Sequence, residues 1–362
     1  MNIIRIIAVF VFAIIISHTK AQVLSSANFI KGGKSDAIKI VSSYLLPVEK
    51  SLCFNGINSK LLLFKKSDDL HFGIGINLTS SFINNQDYTY DVNDLNLSEF
   101  EASNSQYTVA QTLSGNENTI GLQTKDTYKV PSTTFPFYKE VPILSFNSPK
   151  GNNIGVVPIP TINLFAEKQG NMLGINLLPP LKISESSIGL FEIGIDFQHN
   201  LKSSLGFLSN FWADIYLSTG YTFTKLSYYL DINPNQDALN FSFQSDNGPY
   251  DNQKLQINAN SIPIKIVMVK EHNKFSFFVG GGYNIMTSLV KMIGTYPIYA
   301  TDPTDQFQII TTDIEDPFEY ESSFSKLSLD IGANYRSKHL LLGFEYAHSY
   351  YKNISLSVNY IL

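Results

Sequence analysis

Few residues in this sequence could do chemistry by type and spacing alone. Gly32-Gly33-Lys34-Ser35 has the closing sequence of a phosphate-binding loop, but Asn28 stands where the first glycine belongs and no strand pattern precedes it. The histidines show neither a His-x-x-x-His spacing nor the pairing with cysteine that is typical of zinc sites. No Gly-x-Ser-x-Gly nucleophile motif occurs. The sequence therefore predicts no enzyme, no bound metal and no cofactor.

Polar residues on one face of the predicted strands are the remaining candidates. If the strands enclose a lumen, these residues face it: His71, Asn77, Glu192, Asp196, Asp330, Arg336 and Glu345. We favour an ion-pair network among them that holds a plug in the lumen. Direct contact with a substrate is the alternative, and the two interpretations are compatible.

The elements that must position these residues are strands with a strict period of two. In the last stretch of the chain, Ile354, Leu356, Val358, Tyr360 and Leu362 share one face, and Asn353, Ser355, Ser357 and Asn359 share the other. A soluble β-sandwich would also alternate, but its strands average about 5 to 6 residues. The longer runs found here, and the many Gly, Ser and Asn on the second face, favour a transmembrane barrel.

Composition and charge agree with a barrel. Charged residues make up 16% of the chain, below the ordinary value of about 25%, and aromatic residues reach 13%. After residue 22 no apolar run is long enough for a membrane-spanning helix, which needs about 18 residues or more. The net charge of -5 excludes nucleic acid as a partner, because such a partner would demand a basic surface. The fold class is therefore all-β, an antiparallel transmembrane β-barrel with outer-membrane lipid as its partner.

The N-terminus has the pattern of a secretory signal peptide. Arg5 precedes the apolar run Ile6–Ile16, and Thr19 and Ala21 have the spacing of a cleavage site. An N-terminal membrane anchor is the alternative, but the run is short for a bilayer core of roughly 30 Å. We therefore expect export to the cell outer membrane, with residues 1–21 as signal peptide, 22–64 as helix and plug segment, and 65–362 as barrel.

The alternation predicts ten strands. They are 70–82, 153–166, 170–183, 187–199, 211–229, 254–269, 274–289, 323–336, 338–349 and 352–362. This division places the long connections 83–152, 230–253 and 290–322 on one side and short turns on the other, as in outer-membrane barrels. The long side is thus predicted to be extracellular. Prolines such as Pro179, Pro180 and Pro263 should mark bulges, bends or strand ends.

A short helix is predicted before the first strand. It spans Asp36–Leu46, with Ser35 as cap, Pro47 beyond its end, and Ile38, Val41 and Leu45 on one apolar face. We expect this segment to lie in the lumen or at the periplasmic mouth and to plug the barrel from the periplasmic side. Residues 51–64 fit either a plug or further strands.

Several short motifs resemble a known family. Asp36-Ala37-Ile38-Lys39, Tyr44-Leu45-Leu46-Pro47 and Phe54-Asn55-Gly56 resemble the N-terminus of a Bacteroidota outer-membrane family of unknown function. The likeness continues through Val157-Pro158-Ile159-Pro160, Phe191–Gly194 and Gly220–Thr222, although Asn55-Gly56-Ile57 departs from the family's Gly-Trp-Tyr. That family is similar in layout to the long-chain fatty-acid transporter (FadL-type) barrels. The resemblance implies an N-terminal plug, about 14 strands and a hydrophobic small-molecule ligand.

Two functions of different classes remain open. The first is a plugged channel for uptake of hydrophobic small molecules. The second is a structural or adhesion protein that acts through its long extracellular loops and transports nothing. An apolar path beside the helix would favour the first, and a solid lumen below a fixed loop surface would favour the second. The sequence leaves the cargo and the oligomeric state open.

Overall fold

The computed structural model describes residues 34–56, 69–131, 138–142, 145–182, 188–230, 249–250, 252–301 and 309–362. The predicted signal peptide and most of the predicted segment 51–64 lie outside these ranges. No helix within the described ranges is long and apolar enough to cross a bilayer.

The described structure contains one α-helix, nineteen strands and four short 3-10 helices, Asn85–Tyr88, Asn93–Leu95, Leu201–Ser203 and Gly206–Leu208; the helix and the strands are labelled as follows. They are α1 (Lys34–Asn55), β1 (His71–Phe82), β2 (Thr89–Asp91), β3 (Phe100–Ala102), β4 (Val109–Gln111), β5 (Gly121–Thr124), β6 (Thr127–Pro131), β7 (Tyr138–Pro142), β8 (Ser145–Asn147), β9 (Val156–Lys168), β10 (Asn171–Lys182), β11 (Ile188–Asn200), β12 (Asp214–Tyr229), β13 (Lys254–His272), β14 (Phe275–Ile293), β15 (Thr295–Thr301), β16 (Ile309–Glu315), β17 (Phe318–Arg336), β18 (Leu340–His348) and β19 (Lys352–Ile361).

Ten of these strands close into an antiparallel barrel in the order β1-β19-β18-β17-β14-β13-β12-β11-β10-β9. Closure leaves no free edge, because β1 pairs with β19 on one side and with β9 on the other. Each predicted strand corresponds to one barrel strand, with ends shifted by a few residues. The fold class is confirmed, and the strand number is ten, at the lower bound of the expected range.

The connections sort by length as the alternation predicts. The β1–β9, β12–β13 and β14–β17 connections lie at one end of the barrel, which we call the long-loop end, and their strands β2–β8, β15 and β16 form small sheets there. The opposite end, the turn end, has the tight β9–β10 and β13–β14 hairpins and the longer β11–β12 connection, which contains two short 3-10 helices. Gln169 and Gly170 both have positive φ, at 55° and 79°, as in the two-residue turn that suits the twist of a hairpin.

The prolines interrupt strand pairing, as predicted. The β10–β11 register shifts between Leu178 and Leu181, at Pro179 and Pro180. The β12–β13 ladder breaks at Pro263, whose carbonyl accepts a hydrogen bond from the Thr219 hydroxyl. Pro158 and Pro160 lie in β9 beyond the end of its ladder with β10. The physical reason is the same at each site: proline has no backbone N–H group and therefore cannot donate a hydrogen bond to the strand ladder.

The helix is longer than the predicted segment Asp36–Leu46 at both of its ends. Helix α1 includes Ser35 and continues through Pro47 to Asn55, so Ser35 is no cap and Pro47 no terminator. An interior proline costs about 3 kcal/mol in an isolated helix. Here Leu45, Val48, Leu52 and neighbouring side chains are buried against the barrel wall, and this packing offsets the lost hydrogen bond.

The structure places the helix in the lumen, one of its two predicted positions, but the helix begins at the long-loop end and not at the end predicted to be periplasmic. Both oxygens of the Asp36 carboxylate accept hydrogen bonds from backbone N–H groups of Ser98, Glu99 and Phe100, in the β1–β9 connection, at 2.8, 2.7 and 3.2 Å. The helix therefore enters at the long-loop end, and its last residue, Asn55, lies deeper in the lumen. The first residue of β1, His71, lies at the turn end.

The outer face of the barrel is an apolar belt. Leu329, Ile331, Leu356 and Val358 are exposed, whereas Asp330 and Asn359, on the same strands, point inward and are buried. Leu342 and Phe344 belong to the same belt. Exposed aliphatic side chains on every alternate position, around a closed ladder, are the arrangement that a lipid environment requires.

Candidate functional site: the plugged lumen

The long-loop half of the lumen is filled by α1. The helix packs against the inward side chains of the wall and against apolar residues of the β1–β9 connection, which form one continuous core. The core includes Ala37, Ile40, Val41, Tyr44, Leu45, Val48, Leu52 and Phe54 of the helix, with Ile159, Leu178, Leu255, Ile257, Met286, Val290 and Met292 of the wall. Of the predicted apolar face, Val41 and Leu45 are fully buried, and Ile38 packs at the margin of the core.

The wall of the barrel also caps the last turn of α1. A helix ends with carbonyl groups that have no partner inside the helix. Ser261 donates its hydroxyl to the Cys53 carbonyl at 2.6 Å, and Asn353 donates its amide to the Phe54 carbonyl at 2.8 Å. The Asn55 amide in turn donates to the Val157 carbonyl at 2.8 Å. These contacts, from three different strands, fix the depth to which the helix enters.

A buried carboxyl group lies on the plug itself. Glu49 is fully buried, and Tyr320 of β17 donates its hydroxyl to the carboxylate at 2.6 Å. Burial raises the pKa of the Glu49 carboxyl, and the hydrogen bond from Tyr320 opposes that rise. The nearby Cys53 thiol is buried as well, and burial raises its pKa. The sequence reading missed Glu49, although an acidic residue within an otherwise apolar stretch was a visible signal.

The raised pKa of Glu49 predicts a pH-dependent stability. A carboxyl whose pKa is higher in the folded state stabilises the fold at low pH, and that contribution is lost as the pH rises through the folded-state pKa. We expect Glu49→Gln to increase the free energy of unfolding relative to the native protein by an amount that grows from acidic to neutral pH. Urea unfolding at several pH values measures it. Glu117→Gln, at an exposed loop position, should show no such trend.

Below the tip of α1, the lumen is polar. Lys265 of β13 is only 1% exposed and lies 3.0 Å from Asp330 of β17 and 3.9 Å from Glu345 of β18. To reach Asp330 it must cross the intervening strand β14 at Gly282, where a Cβ atom would lie 2.6 Å from the Cγ atom of Lys265. The glycine therefore makes this long-range ion pair possible. A void of about 10 Å³, close to the smallest space that holds one water, separates the pair from Phe54.

The structure places the predicted lumen residues on the inner face but does not bring them into one cluster. Asp330 and Glu345 share Lys265, which sequence reasoning missed although it stands between the outward Ile264 and Ile266. Asp196, which accepts from the Asn176 amide, lies within electrostatic range of Glu345. His71 and Arg336 both lie near Glu167 towards the turn end. Glu192 accepts from the Thr224 hydroxyl, and Asn77 donates to Thr79.

The predicted role of these charges as anchors of the plug stays a prediction. Lys265 joins wall strand β13 to β17 and β18, and the wall groups that hold the last turns of α1 are serine, asparagine and tyrosine side chains. Charged contacts of α1 itself, from Asp36 and from Lys50 to Asp87 at 3.4 Å, go to the β1–β9 connection. Two apolar clusters narrow the lumen further towards the turn end: Tyr216, Val267, Val269 and Phe278, and Phe165, Met172, Leu341 and Ile361.

A closed antiparallel barrel, with an apolar belt outside and a helix in its lumen, defines a plugged transmembrane β-barrel. The chain belongs to the family of unknown function DUF6588, whose model matches residues 1–362. Among the described residues, no group of His, Cys, Asp or Glu side chains could hold a metal ion. The bacterial group and the FadL-type layout implied by the resemblance stay predictions.

Comparison with known proteins finds weak similarity to outer-membrane proteins and does not assign a function to this chain. No curated protein matches the chain. The outer-membrane protease OmpT of Escherichia coli is similar at 10% identity and a TM-score of 0.33, over 83% of this chain and 99% of OmpT. The toluene transporter TbuX of Ralstonia pickettii is similar at 6% identity and a TM-score of 0.24, over 90% and 92%. Both scores are below 0.5, so the barrel assignment rests on this chain's own strand pairing.

Proposed function

We propose that the protein is an outer-membrane channel for hydrophobic small molecules and that α1 closes it. One observation carries this proposal: much of the inward wall of the long-loop half is apolar, with Leu255, Ile257, Met286 and Val290 facing the helix. An aqueous porin has a polar lumen wall. If α1 left its place, the space it vacates would be lined by side chains that favour an apolar solute over water.

Opening would require movement towards the long-loop end. The tip of α1 faces the buried Lys265–Asp330 pair, and apolar side chains narrow the lumen beyond that pair. At the other end of the helix, Asp36 holds the backbone of residues 98–100. The helix and the connection over it would thus move together, and an event on the outer surface could open the channel.

Deletion of residues 34–56 tests the proposal. We expect the variant to form channels of higher conductance in planar bilayers than the intact protein, because the core between helix and wall becomes an open lumen. It should also lose selective uptake of hydrophobic compounds. Deletion of residues 23–33, which retains α1, is the matched control and should leave the conductance unchanged. A variant that inserts normally but conducts no better than the intact protein would exclude α1 as the closing element.

One observation favours the alternative function as an adhesion or structural protein. The β1–β9 connection carries several short strands and is tied to α1, so it presents a fixed surface at the long-loop end. Under this alternative, the intact protein should take up no hydrophobic compound in cells. An uptake assay with the intact protein therefore separates the two functions.

A further inference from the structure

A groove lies on the outer side of the barrel at the long-loop end. Its volume is about 690 Å³, and it runs across the ends of β1, β19 and β18. Phe82, Tyr346 and Ile354 form its apolar floor, and Asn85, Gln86 and Lys352 form its polar rim. It is separate from the lumen, because Phe82 and Ile354 belong to the outward faces of their strands, whereas Ser81 and Asn353 point inward to α1.

The groove exists because β18 and β19 are shorter than the neighbouring β17, so the long-loop rim of the barrel is lower beside them than beside β17. Strands β18 and β19 have 9 and 10 residues, whereas the neighbouring β17 has 19. Strand β17 pairs with β18 only from Leu329 to Arg336, and its earlier residues pair with β14. Beside this step, the chain after β1 turns over the rim, and the Asn84 amide holds that turn by donating to the Tyr350 carbonyl at 2.8 Å.

The apolar floor continues the lipid-facing belt. Ile354 precedes Leu356 and Val358 on the same face of β19, and Tyr346 follows Phe344 on the same face of β18. An acyl chain that lies along this belt would therefore extend into the groove without crossing a polar zone. This continuity identifies the occupant as a lipid of the leaflet at the long-loop end.

The rim is suited to an anion. Lys352 is exposed and forms no ion pair with any described residue, and the groove lining contains no acidic side chain in the described ranges. The carboxylate of Asp87, which follows Gln86 in the chain, is already held by Lys50 at 3.4 Å and by the Tyr351 hydroxyl at 2.6 Å. The side-chain amides of Asn85 and Gln86 add neutral hydrogen-bond donors to the same rim.

We propose that this groove binds a membrane lipid with a phosphorylated, anionic headgroup. Lys352 and the amides of Asn85 and Gln86 contact the phosphate, and Phe82, Tyr346 and Ile354 contact an acyl chain. The proposal rests on the barrel lying in a bilayer but not on transport, so failure of the plug deletion would leave it intact.

Native mass spectrometry of the detergent-solubilised full chain tests the proposal. The probes are phosphatidylglycerol and phosphatidylcholine with the same acyl chains. We expect tighter binding of phosphatidylglycerol, and a loss of about fivefold in its affinity in Lys352→Gln, since one basic residue near a membrane surface contributes about that factor. Lys352→Arg should restore the affinity.

Lys254→Gln is the matched control, because Lys254 also lies at the long-loop end of a barrel strand but outside the groove. It should leave the affinity for phosphatidylglycerol unchanged. Equal binding of the two lipids by the native protein would overturn the proposal. So would an equal loss of affinity in Lys352→Gln and Lys254→Gln, because that result would mean general attraction by surface charge.

Discussion

Lys265→Met is expected to lower the free energy of unfolding by about 3–5 kcal/mol, the cost of leaving a buried charge without its partner. Lys265 is the single cation within 4 Å of both Asp330 and Glu345 among the described residues, and all three side chains are buried. Methionine has a similar length and retains the apolar stem across Gly282, so the change removes the charge with little change in packing. Urea unfolding in lipid vesicles, followed by the fluorescence of the one tryptophan, Trp212, measures the loss.

Two further variants make this prediction specific. Lys274→Met, at an exposed turn position beyond β13, should change the stability by less than about 0.5 kcal/mol. Lys265→Met combined with Asp330→Asn and Glu345→Gln should recover most of the loss, because neutral amides no longer need a cation. If the triple variant were as unstable as the single one, the packing of the lysine stem would be the cause, and the ion pairs would contribute little.

Leu356→Arg is expected to lower the free energy of unfolding by about 2–4 kcal/mol, and Tyr360→Arg by about 0–1 kcal/mol. The two values differ because the penalty for a lipid-facing arginine falls from the bilayer midplane to the interface. Both side chains are 51% exposed and lie on the outward face of β19, so they differ mainly in depth. Leu356 is near the middle of the strand, and Tyr360 is next to its turn-end terminus. Folding into vesicles of defined thickness, with unfolding by urea, compares them.

This pair is a better test of membrane depth than a lumen-facing control. Gly343, adjacent to the lipid-facing Leu342, is the lumen position that the alternation suggests for such a control. However, a Cβ atom there would lie 2.3 Å from the Ser357 hydroxyl oxygen, so any side chain would clash with the wall. Equal costs for Leu356→Arg and Tyr360→Arg would mean that the bilayer is not centred on the middle of β19.

The sequence by itself determined the strands, their facing and the side on which each connection lies. A strand has a side-chain period of two, so the alternation from Ile354 to Leu362 specifies the outward face without knowledge of any neighbour. The breaks at Pro179, Pro180 and Pro263 are local too, because a proline lacks its donor in any context. For the same reason the inward positions of Asp330 and Glu345 could be predicted, since each is one residue away from an outward aliphatic side chain.

Only the tertiary structure decided the length of α1, the end at which it enters and the partners of the inward charges. In an isolated helix, Pro47 would end or kink the helix because proline cannot donate the backbone hydrogen bond. Here the loss of that bond is offset by packing against an apolar wall, whose strands come from distant parts of the chain. Lys265 meets Asp330 across an intervening strand, over a glycine, and no local pattern encodes a contact 65 residues away. The outer groove likewise depends on unequal strand lengths around the rim. Local periodicity sets which way a side chain points, but what it meets depends on closure of the barrel.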